Sequence, residues 1–412
     1  MKISILTFLA LSFFSACSKS GGENPTTPAQ EELVVYEPVA VSKEVTKKVY
    51  VHLMPWFEDK STNDQVGKWG QHWTMENKNP DNIGANGKRE IAAHYYPLTG
   101  PYASSDPNII EYQLLLMKLS GIDGVLIDWP GITKLYDYPL LVRNTEKFIE
   151  KIAKVGLKFA IVYEDQNINI AYNNNVITNK ISAAKNDMAY LASNYFNKDS
   201  YIKEGNRPLL LVFGPQTFES ESEWTQIFAG LTTKPTFYTL WNESHEAGAN
   251  AQGEYAWVYK NHLSDLQGFY NKNYSGTKMA SAYPGFKSFY TEGGWGTNPF
   301  QIDVSLQTFQ TTLDLALQSN APSVQLVTWN DYGEGTMLEP TQEFQFSFLT
   351  SLQQKLKVKD LQEKHLNAVW QLYQYRQKAK TNAALSKKLD QVFYYLVALK
   401  LNEAEKLLQT ID

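Results

Sequence analysis

The chain has 412 residues, 43% of them hydrophobic and 20% charged, proportions of a folded globular protein that exclude wholesale disorder. Lys and Arg number 38 against 43 Asp and Glu, a net charge of -5, which gives nucleic acid nothing to bind. The single cysteine, Cys17, excludes an internal disulfide framework and any cysteine-based zinc site. Aromatic residues make up 13%, with 10 Trp, 25 Tyr and 20 Phe. Such planar, amphipathic rings suit carbohydrate faces, although most must fill the core.

Met1 to Cys17 reads as an export signal. Lys2 is its positive start, and Ile3 to Phe14 is an apolar run far short of the ~20 residues that span a bilayer. Ser15 and Ala16 are small and precede Cys17, so the segment resembles a bacterial lipoprotein signal, with cleavage after residue 16 and a lipid on Cys17. Residues 17–47 then read as the lipidated cysteine and a flexible tether, since Ser18 to Glu32 is rich in Ser, Gly, Asn, Pro, Thr and Glu.

From residue 48 short apolar runs recur, most followed by a helical pattern. The expected strands are Val49–Met54, Gly124–Asp128, Leu157–Tyr163, Pro208–Phe213, Thr236–Leu240, Tyr255–Tyr259, Lys278–Tyr283 and Ser323–Trp329. Their apolar residues are continuous, as in strands covered on both faces. Between several lie amphipathic segments: Asn108–Ser120, Tyr138–Val155, Ala183–Asn197, Ser222–Ala229 and Val304–Gln318. Strand alternating with helix implies a parallel sheet, and eight such strands suggest a (β/α)8 TIM barrel over residues 48–357. Only a short Gly- and Asn-rich stretch separates the fifth and sixth strands, too little for a regular helix. The alternative is an open doubly wound sheet, but no GxGxxG turn follows the early strands. Gln342–Lys357 would close the barrel as its eighth helix. Asp360–Lys380 and Leu385–Gln409 would form a C-terminal helical extension, residues 358–412.

In a barrel the active site lies at the C-terminal ends of the strands. The residues there include Trp56 after the first strand and Asp128-Trp129 at the second. They include Glu164 after the third, Trp241 after the fifth, Tyr283 at the seventh, and Trp329-Asn330-Asp331-Tyr332-Gly333-Glu334 at the eighth. The set is rich in carboxylates and tryptophans and holds no GxSxG, HExxH or P-loop motif. Aromatic platforms beside paired acids are what glycosidic cleavage needs: one acid protonates the leaving oxygen, a second carboxylate acts from the other side, and rings stack on the sugar. Asp331 and Glu334 are the sharpest pair, because three residues apart on a turn they can share a cavity and push their pKa values apart. His52, His72 and His94 are not spaced as metal ligands, and no metal or cofactor is expected. The Gly293-Gly294-Trp295-Gly296 stretch could form a lid or rim.

Tyr96-Pro97-Leu98-Thr99-Gly100-Pro101-Tyr102, then Ser105-Asp106-Pro107, Gly121-Ile122-Asp123-Gly124 and Asp128-Trp129, resemble the front half of the glycoside hydrolase family 99 barrel, a family that contains endo-acting α-mannosidases. The motif Trp329-Asn330-Asp331-Tyr332-Gly333-Glu334 is more similar to family 71, the α-1,3-glucanases, which share the fold. The resemblance spans about Lys48 to Pro340. It implies that Glu334 is the general acid and Asp331 the base or the group that assists a neighbouring sugar hydroxyl. Family 99 has a glutamate at the position of Asp331, one methylene longer. The resemblance also places a sugar-stacking ring at Trp129. Trp56, Tyr95, Tyr96, Tyr283, Trp241 and Trp329 are expected to line the cleft, and Asp128 and Glu164 to hold sugar hydroxyls or tune the acids. The whole reads as a lipid-anchored, extracytoplasmic, monomeric glycosidase that cleaves internal α-glycosidic bonds of a polysaccharide or oligosaccharide. The alternative is a non-catalytic glycan-binding lipoprotein on the same barrel.

Overall fold

In the computed structural model, which describes residues 32–379 and 382–411, eight parallel strands close into a ring. They are β1 (Lys48–Leu53), β2 (Gly124–Trp129), β3 (Lys158–Tyr163), β4 (Arg207–Val212), β5 (Thr236–Leu240), β6 (Ala251–Tyr255), β7 (Thr277–Ala282) and β8 (Ser323–Leu326). The order is β3-β2-β1-β8-β7-β6-β5-β4, and β3 pairs with β4 to complete the barrel. All six residues of β2, GVLIDW, are buried, as a strand sandwiched between barrel interior and outer helices must be.

The helices of the outer ring are α1 (Pro107–Leu119), α2 (Tyr138–Ile152), α3 (Lys180–Asn194), α4 (Glu221–Phe228), α5 (Leu263–Asn271), α6 (Leu306–Gln318) and α7 (Ser347–Leu356). Their starts are written in the sequence. Asp106 accepts from the Asn108 amide with Pro107 at the first helical position, and Asn179 and Ser305 accept from the amides of Ser182 and Thr308. Between β5 and β6 there is only the turn Ser244–Ala247 and a 3-10 turn, Gly248–Asn250, in keeping with the short, Gly-rich connection.

One strand lies elsewhere than its apolar run. The sixth strand is Ala251–Tyr255, not Tyr255–Tyr259. Apolarity misplaces it because the strand itself is polar: Glu254 is fully buried but bonded to Lys272 (2.9 Å) and Ser244. Ala256 and Val258, the apolar stretch beyond it, fill a separate core cluster with Phe269 and Tyr283. The β6 backbone also approaches its neighbour closely. A Cβ at Gly253 would stand 2.5 Å from the Tyr238 ring.

The segment before β1 is also more ordered than a tether. The Val34 amide donates to Gln391 (2.7 Å), the Val39 amide to the Val397 carbonyl (3.0 Å), and Lys43 pairs with Asp123. Val41 and Val45 pack on the main core. These two amide hydrogen bonds, the ion pair and the two valine side chains hold Val34 to Lys47 on the domain, and only the earlier part of the expected tether lies outside the described residues, together with Cys17 and the signal. At the other end are α8 (Glu363–Lys378), α9 (Ala383–Val397) and α10 (Leu401–Leu408). The last two were expected as one helix; Leu399, at φ 56°, breaks it. Arg376 of α8 bonds Glu111 of α1 at 3.0 and 3.1 Å and Asp390 of α9 at 2.7 Å, clamping the extension to the barrel. No helix among the described residues is long and apolar enough to cross a membrane.

Gly253→Ala should therefore cost about 1–3 kcal/mol by overpacking against Tyr238 and lower the melting temperature by several degrees. Gly230→Ala, where nothing lies within 4 Å of the added carbon, should leave it unchanged in the same calorimetric comparison.

Candidate active site

The strand ends meet on one rim. β8 leaves the barrel next to β1, with Val324 opposite Val49 and Leu326 opposite Val51. Beyond it Asn330 clasps the first strand's exit: its amide oxygen accepts from the Met54 N–H (2.9 Å) and its amide nitrogen donates to the Met54 carbonyl (3.0 Å). The loop then folds back on itself. The Asp331 N–H donates to Thr328 (2.8 Å), and the Glu334 N–H donates to Asp331 Oδ1 (2.9 Å). It also zips to the loop after β7, since the Lys287 N–H donates to the Glu334 carbonyl (2.8 Å) and that of Phe289 to the Gly333 carbonyl (2.7 Å). The zip needs glycine at 335, where φ is +67° and a Cβ would stand 2.9 Å from the Lys287 carbonyl.

This folding brings Asp331 and Glu334 together. Asp331 is only 4% exposed, while Glu334 is half-buried and accepts a 2.6 Å hydrogen bond from Tyr290. Burial raises the pKa of both; the Glu334 charge raises Asp331 further, and the Tyr290 hydroxyl opposes the rise at Glu334. The two titrate as a unit that keeps a proton longer than a free carboxyl would.

A second acid pair sits beside the first. Asp128, at the end of β2, is 5% exposed and faces Glu164, which follows β3. Burial lifts Asp128 well above the usual carboxyl range; the Glu164 charge and hydrogen bond add to it, and the Asp331 charge contributes last. Burial likewise lifts Glu164 to about 7, against the hydrogen bonds from Gln166 (2.7 Å) and Asp128. No lysine or arginine is among the described groups that act on these four carboxyls. The crowd is relieved by protons rather than by cations.

Asp128 and Glu164 line a cavity of about 310 Å³ together with Trp56, His72, Tyr136, Asp137 and Tyr138. Trp56 stacks flat on His72, ring centroids 4.2 Å apart and 4° from parallel. His72 in turn lies 3.6 Å from Asp137, which also accepts from Gln71 (2.9 Å). Trp295 presents its edge to His72 at 5.5 Å and lies 6.5 Å from the Tyr290 ring, so aromatic contacts run from Trp56 round to the hydroxyl that holds Glu334. Among the described residues no cluster of His, Cys, Asp and Glu has the arrangement of a metal site.

Of the residues expected from sequence, the structure brings Trp56, Asp128, Glu164, Asp331 and Glu334 to this rim. Others go elsewhere. Trp129 is fully buried and packs against Tyr163, and against Tyr190 and Tyr195 on the α3 side. Adjacent residues in a strand point to opposite faces, so once Asp128 faces the cleft Trp129 must face the helices. Trp329 and Tyr283 are also fully buried, bonded to Glu339 and His262 respectively, and cannot present a face to a sugar. Trp241 packs edge-on against Tyr259 and Phe269. Tyr96 accepts from the Arg89 N–H (3.1 Å) beneath the Lys88 ammonium. The sequence reading missed Tyr290 and Asp137 and underrated His72 and Trp295. All four come from long loops, where no strand end marks them.

The proton-rich acids carry a stability signature. Glu164 at about 7, Asp165 at about 6 and Asp187 at about 7 are all raised by burial. Their folded pKa values exceed the unfolded ones, about 3.9–4.3, so the folded state binds more protons in between and loses stability as pH rises through that window. The melting temperature should fall from about pH 5 to pH 7.5, and Glu164→Gln should flatten part of that slope in a calorimetric pH series.

Residues 44–372 match Glycosyl hydrolase family 99. Glycoprotein endo-alpha-1,2-mannosidase of Xenopus laevis is 22% identical over 353 residues, covering 77% of this chain and 75% of the relative. Among solved structures, the GH99 endo-alpha-mannosidase from Bacteroides thetaiotaomicron superposes with a TM-score of 0.58 at 16% identity, over 75% of this chain and 95% of that one. A glycoside hydrolase-like protein superposes at 0.55 and 10% identity, over 79% and 97%. The family match runs past both the front-half motifs and the Trp329–Glu334 motif. With the barrel and its rim of paired acids, it makes this chain a member of glycoside hydrolase family 99 and a glycosidase.

Proposed function

We propose that the enzyme cleaves internal α-glycosidic bonds of a polysaccharide or glycan, an α-mannan, α-mannoside or α-glucan, with Glu334 and Asp331 as its working acids. One observation carries the proposal: two carboxyls three residues apart on the loop after β8, one half-open to the rim and one buried, coupled so that a proton stays on the pair. The proton that the pair shares reaches the glycosidic oxygen from Glu334, the more exposed of the two, as the bond to the anomeric carbon breaks, while the Glu334 and Gly333 amides hold the Asp331 carboxylate. Asp331, ionised at that moment, acts on the other side as base or as acceptor from a neighbouring sugar hydroxyl. The Trp56–His72 stack offers an apolar face for a neighbouring sugar ring, and Asp128 and Glu164 offer oxygens to its hydroxyls. The endo-α-mannosidases among the relatives support α-linkage and internal cleavage. Lipid attachment at Cys17, which would hold the enzyme to the outside of a bacterial membrane, is part of the same proposal.

Glu334→Gln should lower kcat on the order of 10²–10⁴-fold with little change in sugar affinity, and a substrate with a good leaving group should restore its rate. Asp331→Asn should lose turnover without that rescue. Reducing-end release from an α-glycan panel reads both. A wild type that binds glycans but never releases a reducing end would make the chain a binding protein, and full activity in both variants would move the chemistry to other groups.

Cys17→Ser should shift the protein from the membrane fraction to the soluble one, since a lipid chain is the anchor proposed. Equal membrane retention would remove the anchor from the proposal.

A further inference from the structure

Beneath the Asp331–Glu334 loop lies a carboxyl that the proposed chemistry does not use. Glu339 is 1% exposed and has no cationic partner among the described residues. Instead its oxygens accept four side-chain hydrogen bonds. The Gln113 amide (2.8 Å) and the Trp329 indole (3.3 Å) donate to Oε1, and the hydroxyls of Tyr102 (2.8 Å) and Tyr332 (2.9 Å) donate to Oε2. The donors come from α1, from the long loop between β1 and α1, and from both sides of Asp331 in sequence. Two of them, the indole and the amide N–H, can only donate, so a carboxylate filling all its acceptor sites is the group that satisfies the set.

The geometry points to Glu339 as the positioning residue of the working acids, an inference that rests on the proposed glycosidase reading. Both neighbours of Asp331 depend on it. Tyr332 bonds Glu339 directly, and Asn330 donates to the Tyr102 hydroxyl (3.1 Å), which itself donates to Glu339. Asn330 also clasps Met54, so the same network fixes where β8's loop stands relative to β1. Asp331 then sets Glu334 by accepting its N–H. Glu339 touches neither acid and is 10 and 7 residues from Trp329 and Tyr332 along the chain; its own amide donates to the Trp329 carbonyl (2.8 Å), closing the loop at its base. A carboxylate is suited to this work because each of its oxygens can accept two hydrogen bonds, which matches two donors on Oε1 and two on Oε2. Placement errors near 1 Å at the reacting groups can cost on the order of 10²-fold in rate.

The test compares Glu339→Asp, Glu339→Gln and Tyr332→Phe in the full chain. The Asp variant is one methylene too short to reach all four donors, and kcat should fall on the order of 10²-fold with KM within about twofold. The Gln variant keeps the reach, and the Tyr332 hydroxyl can turn to accept from its amide nitrogen while Tyr102, which already accepts from Asn330 and Gln113, cannot, so it should recover part of the loss. Tyr332→Phe removes one donor and should lower kcat several-fold, and it serves where the Asp variant fails to fold. A purely structural Glu339 would lower the melting temperature and leave kcat per folded molecule unchanged in all three; that result overturns the proposal. Amide hydrogen exchange over residues 328–338 supplies a readout that needs no substrate. Faster exchange there than in the wild type, with β1–β7 unchanged, is expected for the Asp and Phe variants. A wild type that hydrolyses no glycan while the variants loosen this segment would sink the glycosidase reading and keep the positioning role of Glu339 for the loop; unchanged exchange would overturn the positioning role itself.

Discussion

Parallel pairing of the last strand with the first is the constraint on which the site depends. β8 adds beside β1 in register, and the loop that leaves β8 therefore emerges next to the exits of β1 and β2. Asn330 turns that adjacency into a fixed contact by using both polar ends of its amide on the Met54 backbone. Without ring closure, residues 54, 128, 164 and 331 would be separate strand ends; with it they surround one cleft.

Closure has an electrostatic consequence. Strand ends that converge on a dry rim bring their polar residues with them, and here those residues are carboxyls. Burial disfavours their charged forms, and each ionised neighbour raises the next. Lacking lysine or arginine partners, Asp128, Glu164, Asp331 and Glu334 keep protons to higher pH than free carboxyls do. Elsewhere in the chain buried carboxyls are handled differently. Glu58 is held by Arg143 and Asn144, Glu111 by Arg376, and Glu254 by Lys272. Glu339, Asp165 and Asp187 are intermediate cases, held by neutral donors rather than cations: four side chains at Glu339, the backbone amides of Gln216, Thr217 and Phe218 at Asp165, and the Tyr163 hydroxyl with the Ile132 amide at Asp187. The contrast separates groups whose task is to hold structure from groups left free to exchange protons with a substrate.

Aromatic residues divide along the same line. Trp73, Trp129, Trp224 and Trp329 are fully buried and fill the space between layers, whereas Trp56 and Trp295 stay partly open on the rim. Trp56 is backed by His72 in a flat stack, which leaves one ring face for solvent or ligand. The abundance of tryptophan in the chain therefore reflects packing more than recognition, and position in the barrel separates the two uses.

Much of this was legible in the sequence. Continuous apolar runs marked seven of the strands within a residue or two at most ends, because strands covered on both faces need such runs; helix starts were less well marked, Ala183 standing for Lys180 and Val304 for Leu306. The acids at strand ends were legible because a parallel barrel must place strand C-termini on one rim. The polar strand β6 was not, since its Glu254 and Gly253 are explained only by Lys272 and Tyr238, which lie elsewhere in the chain. Nor were the roles of Trp129, Trp329 and Tyr283, because facing inward or outward is decided by a one-residue difference in strand phase that apolar runs do not encode. Tyr290, His72 and Trp295 reach the rim from long loops, whose course is set by tertiary hydrogen bonds such as those from Lys287 and Phe289 to the Glu334 loop. Sequence alone determined the barrel and which acids end its strands. Only the tertiary structure decided which carboxyls lose their cations, and so which can move a proton, because that depends on what the closed ring brings within a few ångströms.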